Sequence, residues 1–168
     1  PFIVVWSGKV MKNINHLSPG FEFPETVIQV SEEEQRHKLS CCDIDGSIYG
    51  NEVDITMLGL PTLEILMAAD VPVVGAVHLF QKFHQHSPFV LGEAIVVNGK
   101  IKEVLPHERG CILSCEFRYT DRMGNVRVEA QRSGIVPVGA KEKSHENFRP
   151  LEQLDGFLER HRYLLIPT

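Results

Sequence analysis

The sequence predicts a single α+β domain whose second half is a run of antiparallel strands. Two observations predict it. Cys111, Leu113, Cys115, Phe117 and Tyr119 alternate with Ile112, Ser114, Glu116 and Arg118, the period of two of a half-buried strand. Upstream, apolar residues recur at helical spacing: Leu63, Leu66 and Met67, then Val73, Val77 and Phe80.

The elements follow in order. A short strand is expected at the start, and His16 to Phe23, with Ser, Pro and Gly, reads as a loop. Val27, Ile28 and Val30 read as a short extended piece. Ser31 followed by Glu34 is a capping box, and three glutamates suit a helix N-terminus. A helix is therefore expected over 32–41, ending before the turn-rich run Asp43-Ile44-Asp45-Gly46-Ser47. A second helix is expected over 61–69. A third is expected to start near Pro72, with Asp70 as its cap, and to stop before Pro88. Gly75 and Ala76 would let that helix lie close to another surface.

Beyond Phe89 the pattern is β-rich. Asp121 to Asn125 is a hairpin loop, and Val126, Val128 and Ala130 then alternate against Arg127, Glu129 and Gln131. The third strand of the meander is expected to run to about Val138. Residues 139–168 read as a polar connection and a short amphipathic helix carrying Leu151, Leu154, Phe157 and Leu158. The domain is thus set at 1–138, with 139–168 as an appendage. An apolar helix before a strand meander buries its stripe on the sheet, and a sheet around one central helix is the economical arrangement.

The bulk numbers exclude several classes. The chain has 168 residues, 43% of them hydrophobic and 23% charged, enough for one domain with a real core. Its net charge of −5 does not suit a nucleic-acid binder. No apolar run reaches the roughly 20 residues of a membrane span. The chain starts at Pro1 rather than Met, as one with residues before it would. Cys41, Cys42, Cys111 and Cys115 form no C-x-x-C pair, so no metal site is expected. They read as reduced, buried thiols of a cytoplasmic protein. No nucleophile elbow, P-loop or dinucleotide fingerprint appears.

One stretch resembles a known family. Leu91-Gly92-Glu93, Val96 and Val97, Ile101 to Val104, Gly110, and Tyr119-Thr120-Asp121 with Gly124 are similar to the second half of the MaoC-like dehydratases. The capped helix, the Asp loop and the 72–83 segment match that family in order, so the resemblance covers about residues 20–138. It implies the hot-dog fold, a curved antiparallel sheet wrapped around a central helix. It also implies acyl-thioester substrates on coenzyme A or acyl carrier protein, and a homodimer or higher homo-oligomer. No cofactor, nucleic acid or membrane is implied.

In the family's hydratases an Asp and a His in the loop after the first helix activate water. Here that loop offers Asp43 or Asp45, and Tyr49 stands where the histidine would fall. A phenol of pKa near 10 is a poor base, yet it can donate to a thioester carbonyl. The plainer reading is that Asp43 and Asp45 cap a turn and Tyr49 packs. His78 lies near the family's His-Gly pair, and half-burial explains it equally well. Gly75 and Ala76, near an expected helix start, would offer backbone N–H groups to a carbonyl oxygen. The expected activity is hydration or dehydration at an altered site, or thioester hydrolysis. The alternative is a non-catalytic acyl-ligand binder or assembly subunit.

Overall fold

The computed structural model describes residues 17–137. The short strand expected at the start, the domain boundary near 138 and the C-terminal helix with Leu151, Leu154, Phe157 and Leu158 lie outside the described residues. Five strands, β1 (Thr26–Gln29), β2 (Val77–Gln85), β3 (Ala94–His107), β4 (Gly110–Thr120) and β5 (Val126–Val136), form one antiparallel sheet in the order β1-β3-β4-β5-β2. Two α-helices, α1 (Glu32–Cys41) and α2 (Gly59–Ala68), precede β2.

The α1 boundaries are those the capping box predicts. Ser31 Oγ accepts the Glu34 N–H at 3.2 Å, and the Glu34 carboxylate accepts the Ser31 N–H at 3.0 Å. Only Gln35 and Leu39 of this helix are buried. Gln35 works as a clasp. Its amide donates to Glu52 O at 2.9 Å and accepts the Asp54 N–H at 2.8 Å. Asp54 then caps the 3-10 turn Ile55–Leu58 through Thr56, 3.0 Å from its N–H and 2.7 Å from its hydroxyl. That turn runs directly into α2.

The central helix is therefore α2, and the helix expected from Pro72 does not form. Gly75 has φ +78, and the Ala76 N–H donates to Val73 O at 3.0 Å, closing a turn. Residues 77–85 leave that turn as β2 and pair with β5 from Val77↔Ile135 to Gln85↔Val128. The helical spacing of Val73, Val77 and Phe80 was incidental. A glycine in the left-handed region and a segment rich in Val and Phe favour turn and strand. Asp70, with φ +59, sits in the turn after α2 rather than capping a helix.

The core lies between α2 and one face of the sheet. Cys111, Leu113, Cys115, Phe117 and Tyr119 of β4, Val128 and Ala130 of β5, and Ile95 and Val97 of β3 are all buried, as are Ile65 and Leu66 of α2. Each fully buried side chain of this size stabilises the fold by about 1.5–3 kcal/mol relative to exposure. Cys41 and Cys42 are exposed, against the expectation that all four thiols are buried. They fall in the last turn of α1 and its cap, away from the face that Leu39 buries.

The two sheet edges differ. On one side lies β2, with Val77, Leu79 and Phe80 exposed. On the other, β1 pairs with residues 94–97 of β3. Residues 20–23 run alongside 99–101. Past a bulge between Ile101 and Glu103, β3 carries exposed Lys102, Glu103 and Pro106.

Candidate functional site

Tyr119 is the first fixed point of the site. It is fully buried, and its hydroxyl donates to Leu58 O at 2.6 Å, tying the start of α2 to β4. One turn later, Thr62 is also fully buried. Its hydroxyl donates to Gly59 O at 2.7 Å and accepts Arg132 Nη1 at 2.9 Å. Arg132 pairs with Cys115 on one side and Gln81 on the other, so it sits on the core face of β5. Among the described residues no carboxylate forms an ion pair with it. Gln81 Nε2 is buried without a hydrogen-bond partner.

Of these residues Arg132 lines a cavity of about 210 Å³ between α2 and strands β2, β4 and β5. Leu63, Leu66, Val71, Val73, Leu113 and Val136 form its apolar walls, and Arg132, His78 and Cys115 also line it. Burial lowers the His78 pKa, and the Arg132 charge lowers it further. The imidazole is thus held neutral around pH 7. Burial pushes the Cys115 thiol up to about 12, although Arg132 pulls the other way. The thiol is inert rather than nucleophilic. Arg132 is itself lowered by burial, yet an arginine keeps its charge. The cavity can therefore present one fixed cation, a neutral imidazole and a greasy slot.

The Asp loop lies elsewhere. Asp45 caps the 3-10 turn Gly46–Tyr49, and its carboxylate accepts the Ser47 N–H at 2.9 Å and the Ser47 hydroxyl at 2.8 Å. Those two bonds, the backbone one first, hold its pKa below the usual range. Asp43 is exposed with φ +56, its N–H donating to Ser40 O at 3.2 Å. Tyr49 is half-buried, and its carbonyl accepts the Glu52 N–H at 2.9 Å. Asp45 lines an open groove of about 400 Å³ with Glu32, Gln35 and Arg36. Asp43 and Tyr49 line neither this groove nor the Arg132 cavity.

The predicted residues are thus divided. His78 and Ala76 share the Arg132 cavity, and Asp45 stands at a separate groove. Gly75 and Ala76 begin no helix, and the Ala76 N–H is already engaged with Val73 O, so a helix-start carbonyl site is not formed there. His84 and His86 lie on and just after β2. Their rings meet edge-on at 4.5 Å, and His86 Nε2 is 3.4 Å from Glu129.

Arg132 is the residue that sequence reasoning missed. Its signal was present: it continues the apolar register Val126, Val128, Ala130, which places a cation on the buried face.

Three solved structures share this fold. An (R)-hydratase from A. caviae involved in PHA biosynthesis matches with a TM-score of 0.57 at 14% identity, over 73% of this chain and 99% of its own. The HadBC 3R-hydroxyacyl-ACP dehydratase complex from Mycobacterium tuberculosis gives 0.60 at 18%, over 74% and 98%. A MaoC-like dehydratase from Rhodospirillum rubrum gives 0.57 at 13%, over 75% and 97%. The chain has the hot-dog fold of the MaoC-like dehydratases. At these identities the likeness is one of fold. No family model matches the sequence, and no curated protein matches it. The hot-dog helix is α2, so the family's central position falls on Gly59–Ala68 and not on the 72–83 segment.

Proposed function

We propose that this hot-dog chain receives the acyl group of a thioester, carried on coenzyme A or acyl carrier protein, in the cavity under α2. The cavity itself carries the reading. It is a mainly apolar slot with a few convergent polar groups, which suits an acyl chain joined to a polar head. The hydratase and dehydratase names of the similar structures support the same ligand class.

On the chemistry, the loop favours binding over water activation. A carboxylate held acidic and engaged with Ser47 is a weak base, and Tyr49 is no substitute for an imidazole. A second reading, hydratase or thioesterase, rests on His78. It lines the cavity and is kept in the neutral form that a general base requires.

Calorimetric titration with crotonyl-CoA and hexanoyl-CoA, alongside assays for enoyl hydration and thiol release, separates these readings. We expect binding in the micromolar range, with Asp43→Asn, Asp45→Asn and Tyr49→Phe changing Kd by less than about threefold. Hydration that falls by roughly 10²–10⁴ in Asp43→Asn or Asp45→Asn would restore the loop as catalytic. No binding by any thioester would overturn the proposal.

The β2 edge supports a homodimer. Among the described residues a nine-residue edge strand with exposed Val77, Leu79 and Phe80 leaves backbone donors and apolar surface uncovered. Light scattering at micromolar concentration should give twice the 19.0 kDa chain mass. A monomer mass would refute the pairing. Among the described residues no helix is long and apolar enough to cross a membrane. All four cysteines are free, which fits the cytoplasmic location proposed with this reading.

A further inference from the structure

Among the described residues the cation in the cavity under α2 has no carboxylate partner. Arg132 has five N–H donors, and Thr62 accepts one of them. Its neighbours across the sheet are Cys115 and Gln81, neither of which is acidic. His78 on β2, which also lines the cavity, carries no negative charge either. A partly buried guanidinium without a carboxylate is costly to fold around. A carboxylate brought in by a ligand would supply the missing partner and form charge-assisted hydrogen bonds with the guanidinium.

The rest of the cavity limits what can carry that carboxylate. Its walls are Leu, Val and Ala side chains, which require a hydrocarbon segment between the anion and whatever lies outside. We propose that the acyl group taken by this chain ends in a second carboxylate, so that the ligand is an ω-carboxyacyl thioester with its free acid on Arg132. Thr62 serves as a positioning residue: its hydroxyl fixes the guanidinium by accepting Nη1 while donating to Gly59 O. The inference rests on the thioester reading above and narrows it to one acyl class.

The test compares two CoA thioesters of equal chain length, hexanoyl-CoA and adipyl-CoA, by calorimetric titration of the full chain. We expect adipyl-CoA to bind about 10- to 100-fold more tightly, the size of one charge-assisted hydrogen-bond pair. In Arg132→Met the preference of adipyl-CoA over hexanoyl-CoA should vanish or reverse. Arg132→Lys should keep part of the preference, because it retains the charge without the planar fork. Should Arg132→Met fail to fold, Arg132→Lys and the unaltered chain still decide the matter. Equal binding of the two thioesters by the unaltered chain overturns the dicarboxylate inference alone. Binding of neither overturns the thioester reading as well.

Discussion

Tyr119→Ala should remove about 3–5 kcal/mol of folding free energy, the usual cost of emptying a fully buried aromatic position. That is a large part of the roughly 5–15 kcal/mol that holds a domain folded. Two effects add. The ring leaves a hole between β4 and α2, and the Leu58 carbonyl loses its 2.6 Å partner at the point where the 3-10 turn passes into the helix. Tyr119→Phe separates them. It keeps the ring and strips only the hydroxyl, so it should cost about 1–3 kcal/mol for a buried carbonyl left bare. Urea unfolding of the three proteins reads both values. A loss below about 1 kcal/mol for the alanine variant would mean that α2 is anchored by other contacts.

Gly99→Val should cost about 3 kcal/mol, or roughly 10 °C in Tm. Gly99 lies opposite Phe117 in the β3–β4 register. A Cβ there would stand 2.6 Å from Phe117 Cε1 and 3.2 Å from Phe23 Cδ2. The two rings stack with centroids 5.8 Å apart and planes 9° from parallel, and both are buried. The glycine is thus kept by a neighbour's bulk and not by its own backbone angles. Thermal melts monitored by circular dichroism check this. An unchanged Tm would show that the Phe23–Phe117 stack yields easily.

The sequence made some parts legible because their physics is local. The capping box of Ser31 and Glu34 needs only four residues to be recognised, and α1 begins where it says. Alternation from Cys111 to Tyr119 defines β4 because a strand exposes its period directly. The central helix was misplaced because two neighbouring segments compete for the same pattern. α2 starts with Gly59 and Pro61 and has no side-chain cap, so it advertises itself poorly. The segment after it shows helical spacing, and only the φ of Gly75 and the pairing with β5 decide against it. Those are properties of the assembled sheet.

The site was harder still. Asp45 drew attention as an acid in a loop, and its loop turned out to use it as a cap. The site residue of Arg132 depends on which face of β5 looks at α2, and register across three strands settles that. Hot-dog topology was readable from motif order, whereas the pairing of Thr62 with Arg132 spans 70 positions.

The unlike edges of the sheet bear on how the molecule behaves when concentrated. An assembly that grows strand upon strand needs a donor face and a receiving face on every copy. Here the four-residue β1, the bulge in β3, and Lys102, Glu103 and Pro106 leave one side unable to receive. Among the described residues the β2 side is the long edge left open for pairing. The described sheet therefore offers one long pairing edge per copy. Two copies meeting at β2 would exhaust each other, and the stack could not lengthen into a filament.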